Sequence, residues 1–122
     1  MPGATSMTSF VDGDLAWPPA QPVPAERVLS GNPHTSTVRH HQTEHAEFGR
    51  WTVTPGSFTT VRDGQDEYIY VIDGDGDLVS ADGVVTRLGP GVSAVLADGW
   101  AGRWDIRTPL TKVYTLINTG KR

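Results

Sequence analysis

The chain is expected to fold as an all-β domain, and three observations carry that expectation. Short runs such as Glu67-Tyr68-Ile69-Tyr70-Val71-Ile72 alternate between two sets of side chains, the period of a strand with one buried face. Glycine (14) and proline (9) punctuate the 122 residues at short intervals, so turns separate runs too brief for ordinary helices. β-branched residues crowd the runs themselves, as in Thr35 to Val38 and Thr111 to Ile117, where a pleated surface accommodates them well.

Length allows one domain with a sizeable core and no second domain. The formal net charge is -4 and no lysine or arginine run is present, so neither a nucleic-acid backbone nor an anionic membrane surface is an expected partner. Absence of cysteine excludes disulfides and thiolate chemistry and suits a reducing compartment. No apolar run reaches membrane-span length, and the first residues lack a basic-then-apolar leader pattern. The expectation is a soluble, cytoplasmic protein.

Taken in order, residues 1–26 read as a Pro/Gly-rich arm. Trp17-Pro18-Pro19 and Pro22-Val23-Pro24 oppose helix and interrupt any ladder. The arm either drapes over the domain or docks Phe10, Leu15 and Trp17 on a second subunit. Residues 27–120 read as the barrel domain. Its first strands are Val28 to Ser30 and Thr35 to Gln42, the latter with Val38, His40 and Gln42 on one face and Thr37, Arg39 and His41 on the other. Phe48 to Thr54 follows, ended by Pro55-Gly56, with Trp51 and Val53 facing one way.

Phe58 to Gly83 reads as three short strands divided by Asp63-Gly64 and by Asp73-Gly74-Asp75-Gly76, the second being a hairpin turn. That glycine run is not a phosphate cradle, since no helix follows and its aspartates repel phosphate, and it lacks the later glutamate of a calcium loop. Val84 to Leu88, Ser93 to Leu96, Trp100 to Ile106 and Lys112 to Ile117 complete the set, with Pro109 breaking the pattern between the last two. Strands this short and evenly spaced form a sandwich or a barrel.

Glu67, six intervening residues and Gly74 match the second half of the first cupin motif, and Gly91 through Gly99 is similar in spacing to the start of the second. Gly49-Arg50-Trp51, Thr54-Pro55-Gly56-Ser57-Phe58, Gly89-Pro90-Gly91, Gly102-Arg103-Trp104 and Lys112-Val113-Tyr114 together resemble the cupins related to (S)-ureidoglycine aminohydrolase. The resemblance spans about Val28 to Ile117. It implies a double-stranded β-helix, the jelly-roll barrel, with its site inside and a homodimer as the usual assembly. A typical cupin holds one metal with two histidines and a glutamate from the first motif and a histidine from the second. Here those places fall at Thr60 and Arg62, or Val61 and Asp63, and at Gly102; only Glu67 matches.

One carboxylate does not hold a transition metal, which needs three or four donors, so no metal cofactor is expected in the usual position. A non-standard site drawing on Asp63, His40, His41 or His45 is the variant reading. Glu67 is the candidate catalytic residue. It shares a face with Ile69 and Val71, where desolvation disfavours its charge and suits it to acid–base work unless Arg62 pairs with it. Candidate substrate-binding residues are Arg62 for an anionic group, Trp51 and Trp104 as pocket walls, His40 if its strand faces inward, and Tyr114 with Lys112 on one face of the last strand. Lys112 reads either as a ligand contact or, more commonly for lysine, as a solvated charge. Trp100, in Asp98-Gly99-Trp100, is a lid or an interface anchor. The expected function is a small-molecule cupin that binds a polar nitrogen-containing or carbonyl metabolite and acts by acid–base chemistry. The alternatives are a non-catalytic binding cupin and a metal-dependent one using the histidines.

Overall fold

The structure, a computed structural model, describes residues 6–120. Among them are nine strands: β1 (Gln21–Pro22), β2 (Val28–Gly31), β3 (His34–Gln42), β4 (Ala46–Val53), β5 (Gly56–Val61), β6 (Gln65–Ser80), β7 (Val85–Leu88), β8 (Ser93–Leu96) and β9 (Ala101–Asn118). Single 3-10 turns at Asp12–Asp14 and Ala25–Arg27 are the helical pieces. Among the described residues no helix is long and apolar enough to cross a membrane. The all-β expectation holds.

Two long strands, β6 and β9, organise the rest. They pair antiparallel from Gln65↔Asn118 to Ser80↔Gly102, and each runs through both walls of a curled barrel. The first half of β6 has β8 at its other edge, and the second half has β7. The second half of β9 pairs with β4, which continues to β3 and β1. Its first half pairs with β5 and then β2. One wall is therefore β1-β3-β4-β9-β6-β8 and the other β2-β5-β9-β6-β7, a jelly-roll arrangement in which the inward faces share a core.

Two sequence expectations need correction here. Gly74-Asp75-Gly76 is not a hairpin turn, and Pro109 does not end a strand. Both lie at the bend where β6 and β9 cross from one wall to the other, with register shifts between Val71 and Gly76. A Cβ at Gly74 would fall 2.4 Å from the Leu110 Cα and the Pro109 carbonyl oxygen, and Gly74 has φ +102°. Glycine within a strand marks such a bulge and close backbone approach, and its sequence signal is the same as that of a turn. The solvent side of the bend is charged. Arg107 donates to Asp75 at 2.6 Å and to Asp77 at 2.7 Å, and Arg87 adds a contact to Asp75.

The hydrogen bond from Arg107 is the largest cause holding the Asp75 carboxyl down at about 2. A depressed carboxyl contributes stability that is present above its unfolded value and lost as pH falls through the folded one. Nuclear magnetic resonance titration is expected to place the Asp75 midpoint near 2, and Arg107→Gln to move it back toward 3.8. An unchanged midpoint in the variant would show that Arg107 does not set it.

Alternation supplies the core. Val53, Phe58, Ile69, Val71, Leu88, Leu96 and Leu110 are all within 1% of complete burial, each side chain contributing about 1.5–3 kcal/mol by leaving water. On the outer face of β6, Tyr68 and Tyr70 stay exposed, as alternation requires. The arm drapes over its own domain, one of the two arrangements expected for it. It joins the sheet at Gln21, before the expected boundary, because Pro22 sits at an edge where a missing N–H costs nothing. Val23 then enters the core and donates its N–H to the Pro33 carbonyl. Further upstream the arm lies on its own barrel: Asp12 reaches Arg50 at 2.6 Å, and Ser36 donates to the Pro18 carbonyl.

Candidate functional site

Inward-facing positions of both walls converge on one cavity of about 340 Å³, within the range of small-molecule sites. Its floor is set by strand register. Trp51 pairs with Lys112, Lys112 pairs on its other side with Val71, and Phe58 pairs with Trp104. Cross-strand partners project to the same face, so these pairings bring the Trp51 and Trp104 rings to one lysine, with Phe58 packed against both tryptophans. The Lys112 Nζ lies 4.3 Å from the Trp51 ring centre and 4.6 Å from that of Trp104, a cation–π box.

Glu67 completes that centre. Its Oε2 accepts a hydrogen bond from Lys112 Nζ at 2.6 Å, while Oε1 lies 3.8 Å from Arg62. Glu67 and Lys112 are 5% and 4% exposed, so this is a desolvated ion pair rather than a surface one. The carboxylate is therefore partnered twice: Lys112 is the nearer partner, and Arg62, the pairing weighed from the sequence, is the farther one. Burial pushes the Lys112 ammonium down from its ordinary value; the Glu67 charge and hydrogen bond oppose this, and the Arg62 charge adds to it.

Arg62 stands at the rim, held by its backbone: its N–H donates to the Trp100 carbonyl, and its carbonyl accepts from Gly99. Its Nε is buried and has no hydrogen-bond partner among the described residues. Arg27 approaches from the end of the arm, donating to the Thr59 carbonyl and the Thr60 hydroxyl. Burial first, and then the charge of Arg62, pushes the Arg27 guanidinium down. On the opposite side Tyr114 donates to Glu47 at 2.5 Å, and Arg39 lies 3.3 Å from the same oxygen. Desolvation and Glu47 both push the Tyr114 phenol upward, so it stays a proton donor. Gly49 makes room for it, since a Cβ there would fall 2.7 Å from the Tyr114 hydroxyl.

Of the residues singled out in the sequence, Glu67, Arg62, Trp51, Trp104, Tyr114 and Lys112 all line this cavity. Lys112 is buried, against the common expectation of a solvated lysine. His40 does not line it. Its strand turns Thr35, Thr37 and Arg39 inward, leaving His40 on the outer face, stacked on Phe10 at 3.7 Å and bonded to Arg50. His41 and His45 are exposed. Arg27, Arg39 and Glu47 were missed. Glu47 shares its face with Trp51 by simple alternation and was open to discovery; Arg27 reaches the cavity through a turn that no periodicity reports.

The metal reading meets a donor set that does not fit. Among the described residues no three histidine, aspartate or glutamate side chains converge. At the positions matching cupin ligands, Thr60 accepts from Arg27, Arg62 is itself a cation, and Val61 and Asp63 are exposed. The space over Gly102 is filled by Trp100, whose indole a Cβ would meet at 2.6 Å. Trp100 donates to Ser80 there, a packing role rather than a lid. Beside Glu67, where a metal would need to lie, an ammonium already sits.

Comparison with known proteins agrees with this architecture. No curated protein matches the sequence. The structure is similar to the EutQ protein of Clostridium difficile (TM-score 0.64, 18% identity, 83% of this chain and 82% of that one). It is also similar to a predicted oxalate decarboxylase from Thermotoga maritima (0.64, 15%, 91% and 99%). A Pseudomonas syringae protein from a family of unknown function matches with TM-score 0.75 at 18% identity over 87% of this chain but only 46% of its own length. At such identities the likeness concerns the fold. The sequence profile of the EutQ-like cupin domain matches residues 40–114, a stretch that contains Glu67, Arg62, both pocket tryptophans, Lys112 and Tyr114, and the chain belongs to that cupin family.

Proposed function

We propose that this cupin binds a small anionic metabolite carrying a carbonyl or nitrogen function, and that Glu67 and Lys112 exchange a proton with it without a metal. The observation that carries the reading is the charge balance of the cavity wall. Arg27, Arg39, Arg62 and Lys112 face it against Glu47 and Glu67. With Glu67 shared by Lys112 and Arg62 and Glu47 paired with Arg39, the wall keeps two more cations than anions, which leaves Arg27 and Arg62 charge to receive an anion, and a carboxylate matches the guanidinium fork. The finer resemblance to (S)-ureidoglycine aminohydrolase-like cupins supports a nitrogen-bearing substrate. A binding protein without turnover is the second reading, favoured by the fact that Glu67 is already satisfied by Lys112.

Binding of small carboxylates, followed by tryptophan fluorescence, tests this. Arg62→Ala is expected to weaken the tightest ligand by about 1.5–3 kcal/mol, the range for a hydrogen bond to a charged group, which is roughly ten- to a hundredfold or slightly more. Equal affinity in the variant would remove the anion-binding reading. If affinity falls as expected but Glu67→Gln leaves turnover of that ligand untouched, only the acid–base part fails.

A further inference from the structure

We propose that Lys112 is a nucleophile that forms an imine with the carbonyl carbon of a 2-oxo acid, whose carboxylate is held by Arg62 and Arg27. This step rests on the anion-binding reading above and names its substrate class. Three features of the cavity carry it. Lys112 lines the cavity, and so do Glu67, Trp51 and Trp104, the residues in contact with its Nζ. Its immediate partner is a carboxylate at 2.6 Å, close enough to take a proton. Arg62 approaches the other oxygen of that same carboxylate, so the anion anchor and the amine lie side by side. That separation suits a ligand in which carboxylate and carbonyl are adjacent carbons, and it does not require a long spacer.

The step balances without any further reagent. Glu67 accepts a proton from the Lys112 ammonium, and the neutral amine attacks the carbonyl carbon, forming the C–N bond. A second proton leaves nitrogen for oxygen, the Glu67 proton follows to oxygen, and the C–O bond breaks to release water. The product is an iminium on Nζ with Glu67 again a carboxylate. One positive charge at Nζ enters and one leaves. The Trp51 and Trp104 faces and the Glu67 carboxylate that stabilise the ammonium therefore stabilise the iminium equally, which is why a site built around a cation is compatible with this chemistry. An iminium next to Glu67 then draws electrons from the adjacent bonds, the common entry to decarboxylation, aldol cleavage or isomerisation.

The chain simplifies the test, because it has only two lysines, Lys112 and Lys121. The full-length protein is incubated with pyruvate or with glyoxylate, reduced with sodium borohydride and mapped by peptide mass spectrometry, while a parallel unreduced sample reports binding through tryptophan fluorescence. The expected result is the reduced adduct on Lys112 in most molecules, at least tenfold above Lys121, and its loss in a folded Lys112→Arg variant, which keeps the cation but forms no imine. Binding of either acid without an adduct overturns the imine and leaves the anion-binding reading standing. Neither binding nor adduct overturns both. Labelling of Lys121 to the same extent as Lys112, or labelling that persists elsewhere at the same level in the arginine variant, shows ordinary amine reactivity and also overturns the proposal.

Discussion

Glu67→Gln is expected to destabilise the folded chain by about 3–5 kcal/mol, the cost of leaving one member of a buried ion pair without its partner. The variant keeps the shape of the side chain and removes its charge, so the loss reports electrostatics. Lys112 would then sit almost fully buried without its carboxylate, facing two indole rings and the positive Arg62. Cation–π contacts supply only about 1–2 kcal/mol and do not replace the carboxylate. Lys112→Met is expected to cost a similar amount from the other side, leaving Glu67 with Arg62 at 3.8 Å. Glu67→Leu combined with Lys112→Met should recover most of the loss, because two apolar groups remove the desolvation penalty of both charges. Urea unfolding of the parent chain, Glu67→Leu, Lys112→Met and the double variant gives the coupling energy by a double-mutant cycle. Strict additivity of the two single changes would mean that the pair is not coupled, contrary to its geometry.

A comparable effect is expected at the bend. Gly74→Ala should lower stability by about 3 kcal/mol or more, because a left-handed backbone strains any residue with a Cβ by about 1–3 kcal/mol and crowding adds to that. The added carbon would meet backbone atoms of Pro109 and Leu110 at 2.4 Å, and backbone cannot rotate away as a side chain can. Gly83→Ala is the control. It has the same sign of φ, +91°, but open space around its Cβ position, so it should show the conformational cost alone. Thermal unfolding separates the two. If both variants fall by the same amount, the close passage of β6 over β9 is not what requires glycine at position 74.

The two glycines also show where sequence reading stops. Gly74 stands between two aspartates and Gly83 follows one, and local chemistry labels both as turns. Only Gly83 is in one, with its N–H bonded to the Ser80 carbonyl. What distinguishes Gly74 is the strand crossing beneath it, some 35 residues away in the chain, which no local pattern encodes. Lys112 repeats the lesson. Alternation paired it with Tyr114, but alternation has no sign, and inward or outward was decided by its pairing with Trp51 and Val71. His40 was placed correctly on a face with Val38, yet that face turned out to carry the arm.

The amino-acid sequence by itself determined the all-β class, the positions of most strands and the cupin family, because period-two alternation and glycine or proline turns are local properties. It also determined which faces Glu67, Trp51 and Trp104 share with their neighbours. Tertiary structure alone decided that Lys112 replaces solvent as the partner of Glu67, that Arg27 and Arg62 meet at one rim, and that His40 lies outside. Those facts depend on which strands lie side by side and on how far two of them bend, and the energy that selects them comes from contacts between residues distant in the chain.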